Sequence, residues 1–162
     1  MTRAPVSGLD AADRPAMALV PLPLDPDRVR LYRSSCAGRS GRLRRLVLAL
    51  SCGRAVALGN RIFLPDRCEA DSAVLAHELT HSAQYQAWGA LRYYLRGVAV
   101  QLRHVLHRGL GLGRNPYAWD AADGRPFEAY GMEQQGQIVE DATRGHPAAR
   151  QLIATMPRRR PG

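Results

Sequence analysis

His77-Glu78-Leu79-Thr80-His81 sets two imidazoles four residues apart, with a carboxylate beside the first. On a helix, residues four apart lie one turn above each other on the same face. Two imidazole nitrogens there can hold one Zn2+ from one side, and Glu78 can reach a water on the metal's open side. Acidified by zinc and deprotonated by the carboxylate, that water is the nucleophile of a metallopeptidase. The competing reading is two solvated histidines on a polar face. Context weighs against it. Ser72-Ala73-Val74-Leu75-Ala76 opens a helix with small and apolar residues, and no proline falls between Cys68 and Pro116 to obstruct it.

A catalytic zinc takes three protein ligands and keeps one position open. The extended pattern H-E-x-x-H-x-x-G-x-x-H is not met, because Gln84 and Ala87 stand at its glycine and third-histidine positions. The remaining histidines are His104, His107 and His146. A set of two histidines and a glutamate from a later helix is the other solution, with Glu133 and Glu128 as candidates; for either, the bland alternative is a solvated helical glutamate. Glu133 is preferred. The spacing of Glu133-Gln134-Gln135-Gly136-Gln137 resembles the E-x-x-A-D element of gluzincin peptidases, in which the glutamate binds metal and the later polar group orients a ligand. Gly136 and Gln137 replace its alanine and aspartate. Gln137, one turn after Glu133, is expected to support His77, His81 or Glu133 from behind. Tyr130, with Tyr117 as the alternative, is the candidate donor to an oxyanion.

These groups need elements to carry them. Arg28-Val29-Arg30-Leu31-Tyr32 alternates as a strand does. Within residues 33–54, Leu43, Leu46, Val47 and Leu50 recur at helical spacing beside a solvated basic face of Arg39, Arg42, Arg44 and Arg45. Residues 55–58 and 61–64 flank Gly59-Asn60 and predict a tight β-hairpin. The histidine motif lies on a helix over about 70–88. A second helix over 90–108 carries an apolar stripe of Leu91, Leu95, Val98, Leu102, Val105 and Leu106, with Arg92, Arg96, Arg103 and Arg108 off it. It is expected to pack on the domain, contact of its arginine face with anionic lipid being the lesser alternative. A third helix is expected over about 127–144. Strand, hairpin, motif helix and further helices make an α+β, zincin-like order. There, Ile62, Phe63 and Leu64 are the candidate edge strand for pairing with an extended substrate.

Residues 1–26, rich in proline, alanine and aspartate, read as a flexible leader; residues 27–146 read as the domain, and 147–162 as a basic, disordered tail. The formal charge is +9 and all 23 basic residues are arginine. That bias is most simply a matter of coding composition, though a basic surface attracts anionic partners. With aromatics at 6% there is no base-stacking platform, which argues against sequence-specific nucleic-acid recognition. Cys36, Cys52 and Cys68 form no disulfide framework and no C-x-x-C, so they read as small buried groups or idle thiols. Neither a classical signal peptide nor a stretch long and apolar enough to cross a membrane is present, and synthesis in the cytoplasm is expected.

Residues 27–32, 55–65 and 75–84, ending in His77-Glu78-Leu79-Thr80-His81-Ser82-Ala83-Gln84, resemble the core domain of extracellular contractile injection systems, which carries an H-E-L-T-H-x-x-Q helix. Residues 124–135 and 138–141 resemble its small stand-alone relatives, the "vgr-related" proteins linked to phage-tail-like secretion spikes. The likeness spans about residues 27–142. It implies a zincin-like fold, bound zinc, a peptide or protein substrate, injection-system components as partners, and export by such a system. The alternative is a non-catalytic, zinc-stapled adaptor or cargo domain. Retention of Glu78 argues against it, since a purely structural site has no use for a general base.

Overall fold

A computed structural model describes residues 6–111, 113 and 115–156. The architecture is α+β. Three short strands, β1 (Arg30–Tyr32), β2 (Val56–Leu58) and β3 (Arg61–Phe63), form one sheet in the order β1-β3-β2. β3 is parallel to β1 and antiparallel to β2. Around it lie α1 (Arg14–Ala18), α2 (Gly38–Leu50), α3 (Ser72–Trp88), α4 (Ala90–Leu110), α5 (Met132–Thr143) and α6 (Pro147–Ala154).

The motif helix α3 is the hub. Asp71 caps it, accepting from the N–H groups of Ala73 and Val74 at 3.0 and 3.2 Å. Gly89, at φ +78, ends it and turns the chain into α4. From Leu75 to Gln84 every α3 residue is buried. The hairpin is anchored to it at the turn: Ser82 Oγ donates to Gly59 O at 2.9 Å. Gly59 has φ +65, and a Cβ there would stand 3.1 Å from the Tyr85 ring, so both conformation and space call for glycine. The core joins Leu31, Ile62 and Leu64 from the sheet region to Leu75 and Leu79 of α3 and Ile138 and Val139 of α5. Each such side chain contributes about 1.5–3 kcal/mol on burial.

Several expectations are corrected. Residues 6–26 are no free leader. Ser7 exchanges backbone hydrogen bonds with Leu31, Ala16 is fully buried, and Gln86 of α3 grips the backbone of Asp25 at 2.8 and 3.1 Å. Part of the expected tail is α6, whose Ala149 is buried in the core and whose Arg150 donates to Ala142 O at 2.9 Å; residues 157–162 lie outside the described residues. The third helix starts late. Phe127–Ala129 is a separate 3-10 turn, Tyr130 is extended, and the Gln134 side chain accepts from the Gly131 N–H at 2.9 Å to begin α5. Ile62, Phe63 and Leu64 are almost wholly buried, and β3 is the central strand, so it has no free edge. None of the three cysteines is buried.

On α2 the buried positions are Gly41 and Arg44, while Leu46 and Leu50 are exposed. A Cβ at Gly41 would stand 2.7 Å from the Cys36 carbonyl oxygen, and this close approach seats the helix. Arg44 Nε then donates to Tyr32 O at 3.2 Å and Leu64 O at 3.0 Å, and Nη2 pairs with Asp66 and Glu69. Arg44→Leu leaves Leu64 O without a donor, while Tyr32 O keeps the Leu64 N–H, and is expected to cost about 2–3 kcal/mol in chemical denaturation. Arg45→Leu, one exposed position further, should stay within about 0.5 kcal/mol.

Candidate metal centre

His77 and His81 project from one face of α3 and meet Glu133 from the first turn of α5; all three are buried. The two Nε2 atoms are 3.1 Å apart, and Glu133 Oε2 lies 3.6 Å from His77 Nε2 and 3.4 Å from His81 Nε2. Donors bound tetrahedrally at about 2.0–2.1 Å stand about 3.3 Å from one another. The triangle therefore has the size that a small divalent cation requires.

A chain of amides sets the state of His81. Gln135 Nε2 donates to Phe127 O and Tyr130 O at 3.3 and 3.1 Å, which turns its Oε1 toward Gln84. Gln84 Nε2 donates to that oxygen at 2.8 Å and to Met132 O at 3.1 Å. Gln84 Oε1 is then left as the acceptor for His81 Nδ1 at 2.9 Å. The network thus places the neutral ring's proton on Nδ1 and leaves the Nε2 lone pair facing the centre.

His77 is held by Glu140, whose Oε2 lies 3.2 Å from Nδ1, though off the N–H axis. Arg144 pairs with Glu140 at 3.0 Å and with the helix-capping Asp71 at 2.9 Å. Gly136 faces the His77 ring so closely that a Cβ there would stand 2.8 Å from Nε2. This is the reason for glycine where the gluzincin element has alanine.

The electrostatics favour a cation. Glu78, Glu133 and Glu140 converge on two imidazoles. Burial alone would lower the His77 pKa, but Glu133 and Glu140 outweigh it and push it to about 10. His81 is also raised, burial being outweighed by Glu133. Glu133 is driven well below the usual carboxylate range, its burial outweighed by the two histidines. Burial pushes Glu78 up against the pull of His77 and His81, and its Oε2 is buried without a partner.

Two arms of a groove meet over these groups, sharing Arg54, Ala55, His77, Glu78 and Tyr117. The arm of about 410 Å3 is basic, with Arg67 and Arg108. The arm of about 580 Å3 is mostly apolar, walled by β2 and by Val98, Leu102 and Val105 of α4. Arg54 Nη2 donates to Tyr117 Oη at 3.0 Å where the arms join.

Of the residues singled out from sequence, His77, Glu78, His81 and Glu133 come together. Glu128 does not, being exposed on the 3-10 turn that the break at Tyr130-Gly131 separates from α5. Gln137 lines the basic arm, but its amide donates to Asp141 at 2.9 Å, and Glu140 takes the place behind His77 instead. Tyr130 is buried away from the groove, donating to Asp120 O at 2.8 Å beneath Arg125; of the two candidates Tyr117 is the one that lines the groove, as Tyr93 and Tyr94 of α4 also do. Sequence reasoning missed Gln84, Gln135, Glu140 and Arg54. Glu140 was detectable as two turns after Glu133 on the same face, and Gln84 as the group one turn after His81.

Of the sheet's two edge strands, β1 and β2, the one that walls the groove is β2, and the outward carbonyls in it and just past its end are already engaged. Ala57 O accepts from Tyr93 Oη at 2.9 Å and Gly59 O from Ser82 Oγ. Pairing of a substrate along residues 57–59 is therefore blocked as the protein stands.

Comparison with known proteins gives one match. Residues 24–89 match the family model of the eCIS core domain, which covers β1, the hairpin and the whole of α3. No curated protein and no solved structure matches the chain.

Loss of the supporting contacts should be read in metal affinity before it is read in fold. Gln84→Leu and Glu140→Gln are each expected to weaken binding of a divalent ion by about 10–100-fold in chelator-competition titrations. Gly136→Ala should weaken it as well, because the methyl displaces the His77 ring. Glu133→Ala should all but abolish binding, and Glu128→Ala should leave it unchanged.

Proposed function

We propose that the protein is a zinc-dependent peptidase of the zincin type, gluzincin-like in its ligands, acting in association with a contractile injection system. The observation that carries this reading is the buried triangle of His77, His81 and Glu133 at tetrahedral spacing, with Glu78, its Oε2 buried and without a partner, beside it at the meeting point of a two-armed groove. The match over residues 24–89 supports the association with injection machinery and the export route that goes with it.

His77 Nε2, His81 Nε2 and Glu133 Oε2 would hold the zinc. Bound zinc supplies Lewis acidity, lowering the pKa of water and polarising a carbonyl. Glu78 is the general base: it lies beside the two histidines at the meeting point of the groove's arms, placed to take a water proton and deliver it to the departing amine, and burial holds its carboxyl above the ordinary carboxylate range. Arg54 and Tyr117 line both arms of the groove with His77 and Glu78, which supports them as the groups that meet the scissile carbonyl. The Arg54 guanidinium donates to the Tyr117 oxygen and makes its O–H a stronger donor toward developing negative charge. Gln84 and Glu140 hold the two imidazoles in orientation. With the carbonyls of Ala57 and Gly59 engaged, the substrate backbone enters the groove without full strand addition along residues 57–59.

A purely structural metal would be closed by a fourth protein ligand. Among the described residues the metal-binding group has three members, and its neighbourhood opens into the groove. Purified protein is expected to carry close to one zinc per chain by elemental analysis, and His77→Ala/His81→Ala to carry almost none. Glu78→Gln should keep the zinc and the fold yet lose about 100-fold or more of the cleavage of a peptide library. Equal cleavage by this variant would remove Glu78 as the base. A zinc-replete wild type that cleaves nothing would leave the adaptor reading.

A further inference from the structure

The apolar stripe of α4 is the largest feature that the site leaves unexplained. Leu91, Leu95, Val98, Leu102 and Val105 are each between 60% and 76% exposed, while the helix rests on the domain through Tyr93, Gly97 and His104. At about 100° per residue the five apolar positions fall within an arc of about 80°, and Tyr93, Gly97 and His104 lie on the opposite side. The domain body therefore stands behind the stripe, and the groove runs along the edge formed by Val98, Leu102 and Val105. The stripe runs about 21 Å along the helix. Arg92, Arg96 and Arg103 lie about 100–140° from its centre on one flank, and Arg108 about 100° from it on the other. α4 contains no acidic residue.

We propose that α4 docks the protein in the interfacial plane of an anionic lipid bilayer. Five aliphatic side chains enter the acyl boundary, and the arginines at both margins reach the phosphates. Charge complementarity selects the occupant. A second copy of the chain would bring two sets of α4 arginines together with no acidic group on either helix, in a chain that already carries +9. A convex ridge meets another ridge along a narrow seam, whereas a fluid surface envelops it from three sides. No helix among the described residues is long and apolar enough to cross a membrane, so α4 lies on the bilayer and does not span it. Val98, Leu102 and Val105 also wall the larger arm of the groove, so docking brings its mouth to the lipid surface.

Co-sedimentation of the full chain with vesicles tests this. Vesicles of phosphatidylcholine with about 30% phosphatidylglycerol should bind about tenfold or more better than phosphatidylcholine alone, and the binding should weaken between about 0.1 and 0.5 M salt. Leu95→Asn/Leu102→Asn should lose most of it at unchanged charge. Arg92→Gln/Arg103→Gln should lose more than Arg39→Gln/Arg42→Gln on α2, which removes the same charge elsewhere. All variants change exposed side chains, and retained metal content and circular dichroism confirm the fold. Absence of vesicle binding, equal binding to neutral vesicles, or equal loss from the α2 and α4 arginine pairs would each overturn the proposal. So would a concentration-dependent dimer that Leu95→Asn/Leu102→Asn abolishes without vesicle binding, since it would identify a second copy as the occupant.

Discussion

A helix buried on every side must satisfy its polar side chains from within the protein, and α3 is such a helix. Between Leu75 and Gln84 it carries His77, Glu78, Thr80, His81, Ser82 and Gln84, all buried. Leaving such a group without a partner costs about 1–3 kcal/mol. Thr80 bonds back to Ala76 O, Ser82 reaches the hairpin turn, and Gln84 joins the Gln135 amide. The Thr80 bond stays within α3, while Ser82 and Gln84 tie the helix to two different parts of the fold. What remains is two imidazole nitrogens and one carboxylate oxygen that face one another, with Glu78 Oε2 buried beside them without a partner. The site is the residue left when the partnering of a buried helix has been done everywhere else.

The same constraint fixes geometry. The Gln135–Gln84–His81 relay runs in one direction because Gln135 is clamped by two backbone carbonyls that can only accept. The Asp71–Arg144–Glu140–His77 chain joins the cap of α3 to its first imidazole. Both routes pass through α5. The packing of α3 on α5 therefore sets the metal-ligand triangle and the orientation of its rings together, and a metal bound there stabilises that packing in return.

Much of this was legible in the residues. The H-E-x-x-H helix, the Gly59-Asn60 hairpin and the α4 helix followed from local pattern, because helical and strand periods and turn chemistry are local properties; the choice of Glu133 over Glu128 came from resemblance to a known metal-binding element. What was not legible depended on tertiary partners. Ile62 to Leu64 reads as an edge strand until the parallel pairing with β1, about thirty positions away, makes β3 central. Arg44 reads as one arginine of a solvated face until the sheet ends supply its acceptors. Gln137 and Glu140 share a face of α5, and only the pitch of α5 against α3 decides that Glu140 reaches His77. The α4 stripe inverts the usual inference from an amphipathic pattern: the helix forms where its period predicts, yet the apolar side is the one left exposed.

The central claim is that His77, His81 and Glu133 form the inner shell of one zinc ion. X-ray absorption at the zinc edge on stoichiometrically loaded protein reads that shell directly. Two imidazole nitrogens and carboxylate or water oxygen at about 2.0–2.2 Å are expected. Cys68 lies in the same groove and offers the contrasting outcome. A sulfur shell at about 2.3 Å, or a spectrum without imidazole scattering, would contradict the assignment.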